Sequence, residues 1–279
     1  MTVLASEAVE LQSVPMPQCR AALSFTCCGV CIGIEAPQAF IDVLPSNFIP
    51  GSSGNNSVKP GVTFVVSIGE RITILEDRNS RGNFTTWREA LEVLEGSAHE
   101  AIAARATTHA FVHAGVVAVD GKAILIPGRS FAGKTTLVMA LVDAGATYYS
   151  DEYALIDSHG LVHPFVRTPR VRQNLGKTVV INDLTPPPVP AGLVLMTKYE
   201  PNAAWRPKSL SVSRCLFGLI DNSVGVRSYP ELYLGRLKEL AMTARAYSSV
   251  RGDWLATADA IFTELLCKKI STIHQGENN

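Results

Sequence analysis

The chain has 279 residues, 47% hydrophobic and 18% charged, and its 25 Lys plus Arg are balanced by 25 Asp plus Glu. That length suits one large or two modest domains with a sizeable core, while a net charge of zero gives no general attraction to nucleic acid or to an anionic membrane. No apolar run reaches the roughly 18–20 residues that span a bilayer, and the N-terminus MTVLASEAVELQSVPMPQ has early acidic residues and no basic region, so the expectation is a cytoplasmic protein without nucleic-acid or membrane partners.

Residues 1–17 read as a frayed tail, and 21–34 as a strand or strand pair. Four of the six cysteines, Cys19, Cys27, Cys28 and Cys31, fall within residues 19–31; Cys215 and Cys267 lie far away. Cys28 and Cys31 form a C-x-x-C, but a structural zinc needs four ligands held by turns. ALSFTCCGVCIGIE is instead apolar, without a second such pair or a neighbouring His. The cysteines therefore read as small hydrophobes in a buried strand, Cys27 and Cys28 pointing to opposite faces. APQAFIDVL (36–44) is a short helix with Pro37 near its first turn. PSNFIPGSSGNNSVKPG (45–61) reads as a mobile loop. VTFVVSIG (62–69) and RITILED (71–77) are strands, joined as a hairpin through Gly69-Glu70. TTWREALEVLEGSAHEAIAARATTHA (85–110) has helical spacing, with Trp87, Leu91, Leu94 and Ile102 inward and Thr85 or Thr86 as cap. Residues 1–105 thus form a small α+β region with no recognisable chemistry. Packing, assembly and recognition are all open to it.

Residues 106–279 read as a second, α/β unit. FVHAGVVAV and KAILIP flank Asp120-Gly121, a strong type I′ hairpin signal. The second arm is then antiparallel to the first, which implies a mixed sheet. KTTLVMALVDAG (134–145) is a helix, with Leu137, Val138 and Leu141 on the sheet and Gly145 just past its end. ATYYS is the next strand and ends at Asp151; YALID and LVHPF flank a turn at Ser158-His159-Gly160. Beyond the turn TPPPVP comes the strand AGLVLMTKYE (191–200), then helical periodicity over 230–268 and a loose end, STIHQGENN. There is no internal repeat.

The segment GRSFAGKTT carries the clearest chemistry. Gly128, Arg129, Ser130, Phe131, Ala132, Gly133, Lys134, Thr135 and Thr136 meet the pattern G-x-x-x-x-G-K-[ST] in full, after an apolar strand and before a helix. Glycines let backbone N–H groups turn toward phosphate oxygens, and the helix N-terminus favours anions. Lys134 can reach the β and γ phosphates, and the Thr135 hydroxyl can ligate Mg²⁺. The cofactors implied are ATP and Mg²⁺. Asp151-Glu152 follows at the end of the next strand, expected beside the strand that feeds the loop. A carboxylate there can ligate Mg²⁺ or take a proton from an attacking hydroxyl. Asp151 is the preferred base, also within reach of the metal, and Glu152 a metal or supporting ligand. His113 alternates with Phe111 and Gly115 on its strand; alone it reads as structural. Arg167, Arg170, Arg172, Arg214, Arg227 and Arg251 could each bind phosphate or an acidic substrate; taken singly, the reading as solvated surface arginines is preferred.

Residues 112–157, VHAGVVAVDGKAILIPGRSFAGKTTLVMALVDAGATYYSDEYALID, resemble the catalytic core of HPr kinase/phosphorylase and of related proteins that share the phosphoenolpyruvate carboxykinase fold. The order of strand His, short turn, strand, phosphate loop, helix and acidic pair is the same. The resemblance implies a P-loop-containing mixed-sheet α/β core, with Asp151 as catalytic base, His113 near the reacting phosphate, Lys134 on the phosphates and Thr135 on Mg²⁺. It also implies a homo-oligomer. The chain departs from that family at Glu152, where HPr kinases have Asp, and in VRTPRVRQNLGKTVVINDL, which lacks their IRGLG-type signature. HPr as acceptor and the phosphorylase reaction are therefore not expected. The leading reading is an ATP-dependent kinase of a serine-like hydroxyl on a peptide, protein or small molecule. The alternative is a nucleotide-binding accessory protein with little or no transfer.

Overall fold

A computed structural model of the chain describes residues 20–54, 58–128, 133–167 and 185–266. β1 (Arg20–Cys27) and β2 (Val30–Pro37) form an antiparallel hairpin around Cys28-Gly29, both left-handed, at φ 51° and 80°. Cys28 thus sits in the turn rather than on the strand, as the hairpin needs two positive-φ residues there. Cys27 and Cys31 are buried as expected, as is Cys215; Cys19 and Cys267 lie outside the described residues. The helix α1 is a single turn, Gln38–Ile41, with Pro37 just before its first residue. The following loop is better anchored than its composition predicts. Phe48 and Ile49 are buried in the core, and β3 (Ser53–Gly54) pairs with β1.

β4 (Val62–Ile68) and β5 (Ile72–Glu76) form the expected antiparallel hairpin. β6 (Asn79–Phe84) adds an edge that the sequence did not announce, because NSRGNF has no apolar alternation. The first sheet runs β3-β1-β2-β4-β5-β6, with β2 and β4 parallel. α2 (Trp87–Arg105) covers it. Thr86 caps the helix by accepting from Glu89 N at 3.2 Å. Leu94 and Ile102 are fully buried, whereas Trp87 and Leu91 pack at the margin.

The second sheet is built around β7 (Ala110–Val119). β8 (Lys122–Pro127) pairs with it through a left-handed Asp120-Gly121 turn. α3 (Lys134–Asp143) then crosses over β7 to β9 (Thr147–Ser150) and β10 (Tyr153–Ile156), which both pair antiparallel with β7. Gly145 follows the helix at φ 104°, as expected. β9 is therefore separated from β8 by β7, and the expectation that their ends are neighbours is corrected. β11 (Leu161–His163) pairs with β10. β12 (Val189–Tyr199) runs parallel to β8 and also touches β11. After β13 (Lys208–Ser209) come α4 (Val212–Asp221) and α5 (Pro230–Thr243). β14 (Arg245–Arg251) lies parallel to β12 and precedes α6 (Trp254–Ala260) and a π-helical turn, Ile261–Leu265. The helical reading of 230–268 is thus interrupted by a strand. The sheet is mixed, as the Asp-Gly hairpin required.

The strand β7 divides its two faces among three cores. Val112, Ala114 and Val116 pack with Leu219 and Leu237 of α4 and α5. On the other face, Phe111 joins the core of the first sheet and α2, together with Tyr153, Leu155 and Phe165, while Val117 joins Leu137, Val138 and Leu141 of α3. His113 and Gly115 lie between those last two cores. Gly115 has a packing reason: a Cβ there would stand 2.5 Å from Val138 Cγ2. Gly115→Ala is expected to destabilise the protein by about 1–3 kcal/mol through overpacking; urea unfolding of the two proteins measures it.

Candidate functional site

The acidic pair occupies a break in the ladder along β7. Val116 pairs with Ser150 and His113 with Tyr153, so Asp151 and Glu152 are the two residues between β9 and β10. Ser150 makes the break possible. Its buried hydroxyl accepts from Glu152 N at 3.1 Å and Tyr153 N at 3.0 Å, and Glu152 O accepts from Ala114 N at 3.1 Å. The pair is thus built into the sheet, and Asp151 is directed at the start of α3.

Asp151 is 3% exposed and heavily donated to. Its Oδ2 accepts from the Thr135 hydroxyl at 2.8 Å and from Arg167 Nη2 at 3.3 Å, and its Oδ1 accepts from the Tyr148 hydroxyl at 3.0 Å. Burial, with Asp151 beside it, drives Tyr148 far above the ordinary phenol range, so it stays a donor. Arg167 Nε lies 3.0 Å from Asp151 Oδ1 and 3.1 Å from Glu152 Oε2. It is directed squarely at neither, and makes no well-aligned hydrogen bond among the described residues. Arg167 is 8% exposed, so it is no solvated arginine; a buried carboxylate beside a half-buried one calls for a cation between them.

Glu152 has a second partner that the sequence did not reveal. His99 of α2 places Nδ1 3.0 Å from Glu152 Oε2, while its Nε2 is 2.8 Å from the Phe48 carbonyl. Both ring nitrogens thus face acceptor oxygens. Burial would raise the Glu152 carboxyl, but the bond and charge of His99, then Arg167 and His113, outweigh it and hold the group at about 2. The first unit therefore contributes to the site, against the expectation that it carries no chemistry. The available signal was a His on the apolar stripe of Leu94, Ala98, Ala101 and Ile102.

The glycine-rich loop joins β8 to α3, and Arg129, Ser130, Phe131 and Ala132 lie outside the described residues. Its ends are defined. Gly128 N donates to the His113 carbonyl at 3.1 Å, and Lys134, 9% exposed, donates Nζ to the Gly128 carbonyl at 2.7 Å. Gly133 caps α3 in the left-handed region at φ 74°, and a Cβ there would lie 2.6 Å from Arg251 Nη2. Arg251 is 2% exposed, donates to Thr197 Oγ1 at 3.3 Å and packs over Tyr199; it too is no surface arginine. Thr136 is half-buried on the first turn of α3. Burial lowers the Lys134 ammonium, with Asp151 and Glu152 opposing.

His113 stacks on Tyr153 with ring centroids 4.5 Å apart, and its backbone N–H donates to Asn222 O at 2.7 Å. Burial, then Lys134, lowers its pKa, against the pull of Glu152. Arg214 and Arg227 are exposed as expected; Arg170 and Arg172 lie outside the described residues. A cleft of about 630 Å³ opens beside Gly128, bounded also by Met196, Lys198, Arg206, Asn222 and Ser249, within the usual size of small-molecule sites. Among the described residues no three His, Cys, Asp or Glu side chains form a metal cage, and no helix is long and apolar enough to cross a membrane.

The structure brings Lys134, Thr135, Asp151, Glu152 and His113 into one neighbourhood and adds His99, Tyr148 and Arg167. No protein-family profile matches the sequence, and no curated protein matches it either.

The ion pairing of Glu152 has a pH signature. A carboxyl held below its ordinary 4.5 adds stability above that pH and loses it as the pH falls toward the lowered value, because the unfolded chain takes up a proton that the folded one refuses. Glu152→Gln should flatten the fall in unfolding free energy between about pH 5 and 2.5, by up to one proton of slope. Urea unfolding across that range checks it; equal slopes in the two proteins would show that Glu152 is not held ionised.

Proposed function

We propose that the chain is a Mg²⁺- and ATP-dependent kinase that transfers the γ-phosphoryl group to a serine-like hydroxyl, with a P-loop core of the HPr kinase type. The observation that carries this reading is the 2.8 Å bond between Thr135 at the start of α3 and Asp151 on the β9–β10 break. A hydroxyl at the head of a helix and a buried carboxylate are the protein's share of a phosphate-bound Mg²⁺ site. Mg²⁺ asks for only one or two carboxylates and completes its octahedron with phosphate and water.

The residues fit the nucleotide phosphates as well. Lys134 is held at the loop by a neutral carbonyl, an acceptor that a phosphate oxygen can replace with a stronger, charge-assisted bond. Gly133 opens the helix without a side chain of its own to cap it, and a helix N-terminus favours an anion. When bound, Mg²⁺ neutralises charge on the transferred group. Asp151 is the base. Its oxygens already accept from Thr135, Tyr148 and Arg167, and each oxygen carries two lone pairs. The donors fix its aim while leaving acceptor capacity for the hydroxyl proton. Tyr153 stacks under His113 and holds it beside the acidic pair.

Lys134→Ala should weaken ATP binding, and Asp151→Asn should preserve binding while cutting transfer by about 10²–10⁴-fold. Calorimetric titration with Mg·ATP gives the first, and labelled ATP offered with candidate peptides or a cell extract gives the second. An Asp151→Asn protein that still labels its acceptor normally sinks the assignment of the base. ATP bound without any transfer in the wild type favours an accessory role instead.

A further inference from the structure

His99 reaches the site from the other side of the molecule. It lies on the buried face of α2, is 0% exposed, and packs edge-on against Phe165 at 5.0 Å. Its Nε2 is tied to the Phe48 carbonyl, in the loop after α1, and its Nδ1 to Glu152. Phe48 is itself buried against Phe25 of β1. The imidazole is therefore held by α2, by the loop after α1 and by Phe165, and among the described residues its side-chain hydrogen-bond partner is Glu152.

Glu152 and Asp151 compete for one guanidinium, since Arg167 Nε stands 3.1 Å from the first and 3.0 Å from the second. Without another donor, Glu152 would draw Arg167 toward itself and away from Asp151. A hydrogen bond from His99 occupies the same Glu152 oxygen that faces Arg167, Oε2, and so weakens that competition.

We propose that His99 is a positioning residue for phosphoryl transfer: by holding Glu152 it keeps Arg167 shared, and so keeps Asp151 aligned with Thr135. The role rests on the kinase reading above and gives the first sheet a part in it. His99 touches neither phosphate nor acceptor, so its loss lowers the rate of transfer without loosening the nucleotide.

The test compares wild type, His99→Gln, Glu152→Gln and the double variant in Mg·ATP hydrolysis with water as acceptor, and in calorimetric Mg·ATP binding. A small misalignment of a reacting group costs on the order of 10–100-fold. That fall in kcat is expected for His99→Gln, with nucleotide affinity kept within about threefold and no further loss when Glu152 is already Gln. In the nucleotide-free protein, the ¹⁵N resonance of Arg167 Nε should shift in His99→Gln. Equal losses in both backgrounds, loss of affinity together with rate, or an unmoved Arg167 resonance would each overturn the proposal. If His99→Gln does not fold, His99→Leu with Glu152→Leu, which removes both polar partners, should match Glu152→Gln in rate; a slower double variant overturns it. A wild type that neither binds nor hydrolyses ATP fails the kinase reading and this role with it, a result distinct from all of these.

Discussion

Two carboxylates on consecutive residues, both turned inward, are the constraint that the rest of the site answers to. Neighbouring residues of a strand normally point to opposite faces. Asp151 and Glu152 escape that rule because the ladder along β7 breaks between Ser150 and Tyr153. Burying Asp151 beside a half-buried Glu152 is costly without cations and donors. Arg167 serves both, while Thr135 and Tyr148 donate to one and His99 to the other. Each donor comes from a different element, so the site can exist only after α2, α3, β9 and the chain after β11 have docked around β7.

Much of this was legible from local sequence. The Asp120-Gly121 turn, Gly133 at the head of α3 and the position of Gly145 all act within a few residues, and backbone chemistry there leaves little choice. The mixed sheet followed from one such turn. The inward positions of α2 and α3 followed from helical spacing, because Leu94, Ile102, Leu137 and Leu141 are ordinary apolar residues on one face.

The failures have a common physical source, which is long-range pairing. His99 and Glu152 are 53 residues apart, and nothing near either one names the other. Arg167 and Arg251 look like surface arginines until the fold encloses them. β14 was hidden because RAYSSVR is neither strictly alternating nor continuously apolar, and its identity as a strand depends on parallel pairing with β12. The assumption that β8 and β9 adjoin failed for a similar reason. α3 crosses above β7, and only Gly115 lets it lie so close.

The shared core of the first sheet, α2 and β10 bears on how the gene could be divided. A cut before residue 106 looks natural in the sequence, where one helix ends and a strand is about to begin. In three dimensions it would strip Phe111, Tyr153, Leu155 and Phe165 of the layer that covers them. It would also leave Glu152 without His99. A free-standing second half would expose a broad sticky face beside a partly unmatched charge. The natural unit of expression, exchange or fusion for this protein is therefore the pair of sheets together, not either one alone.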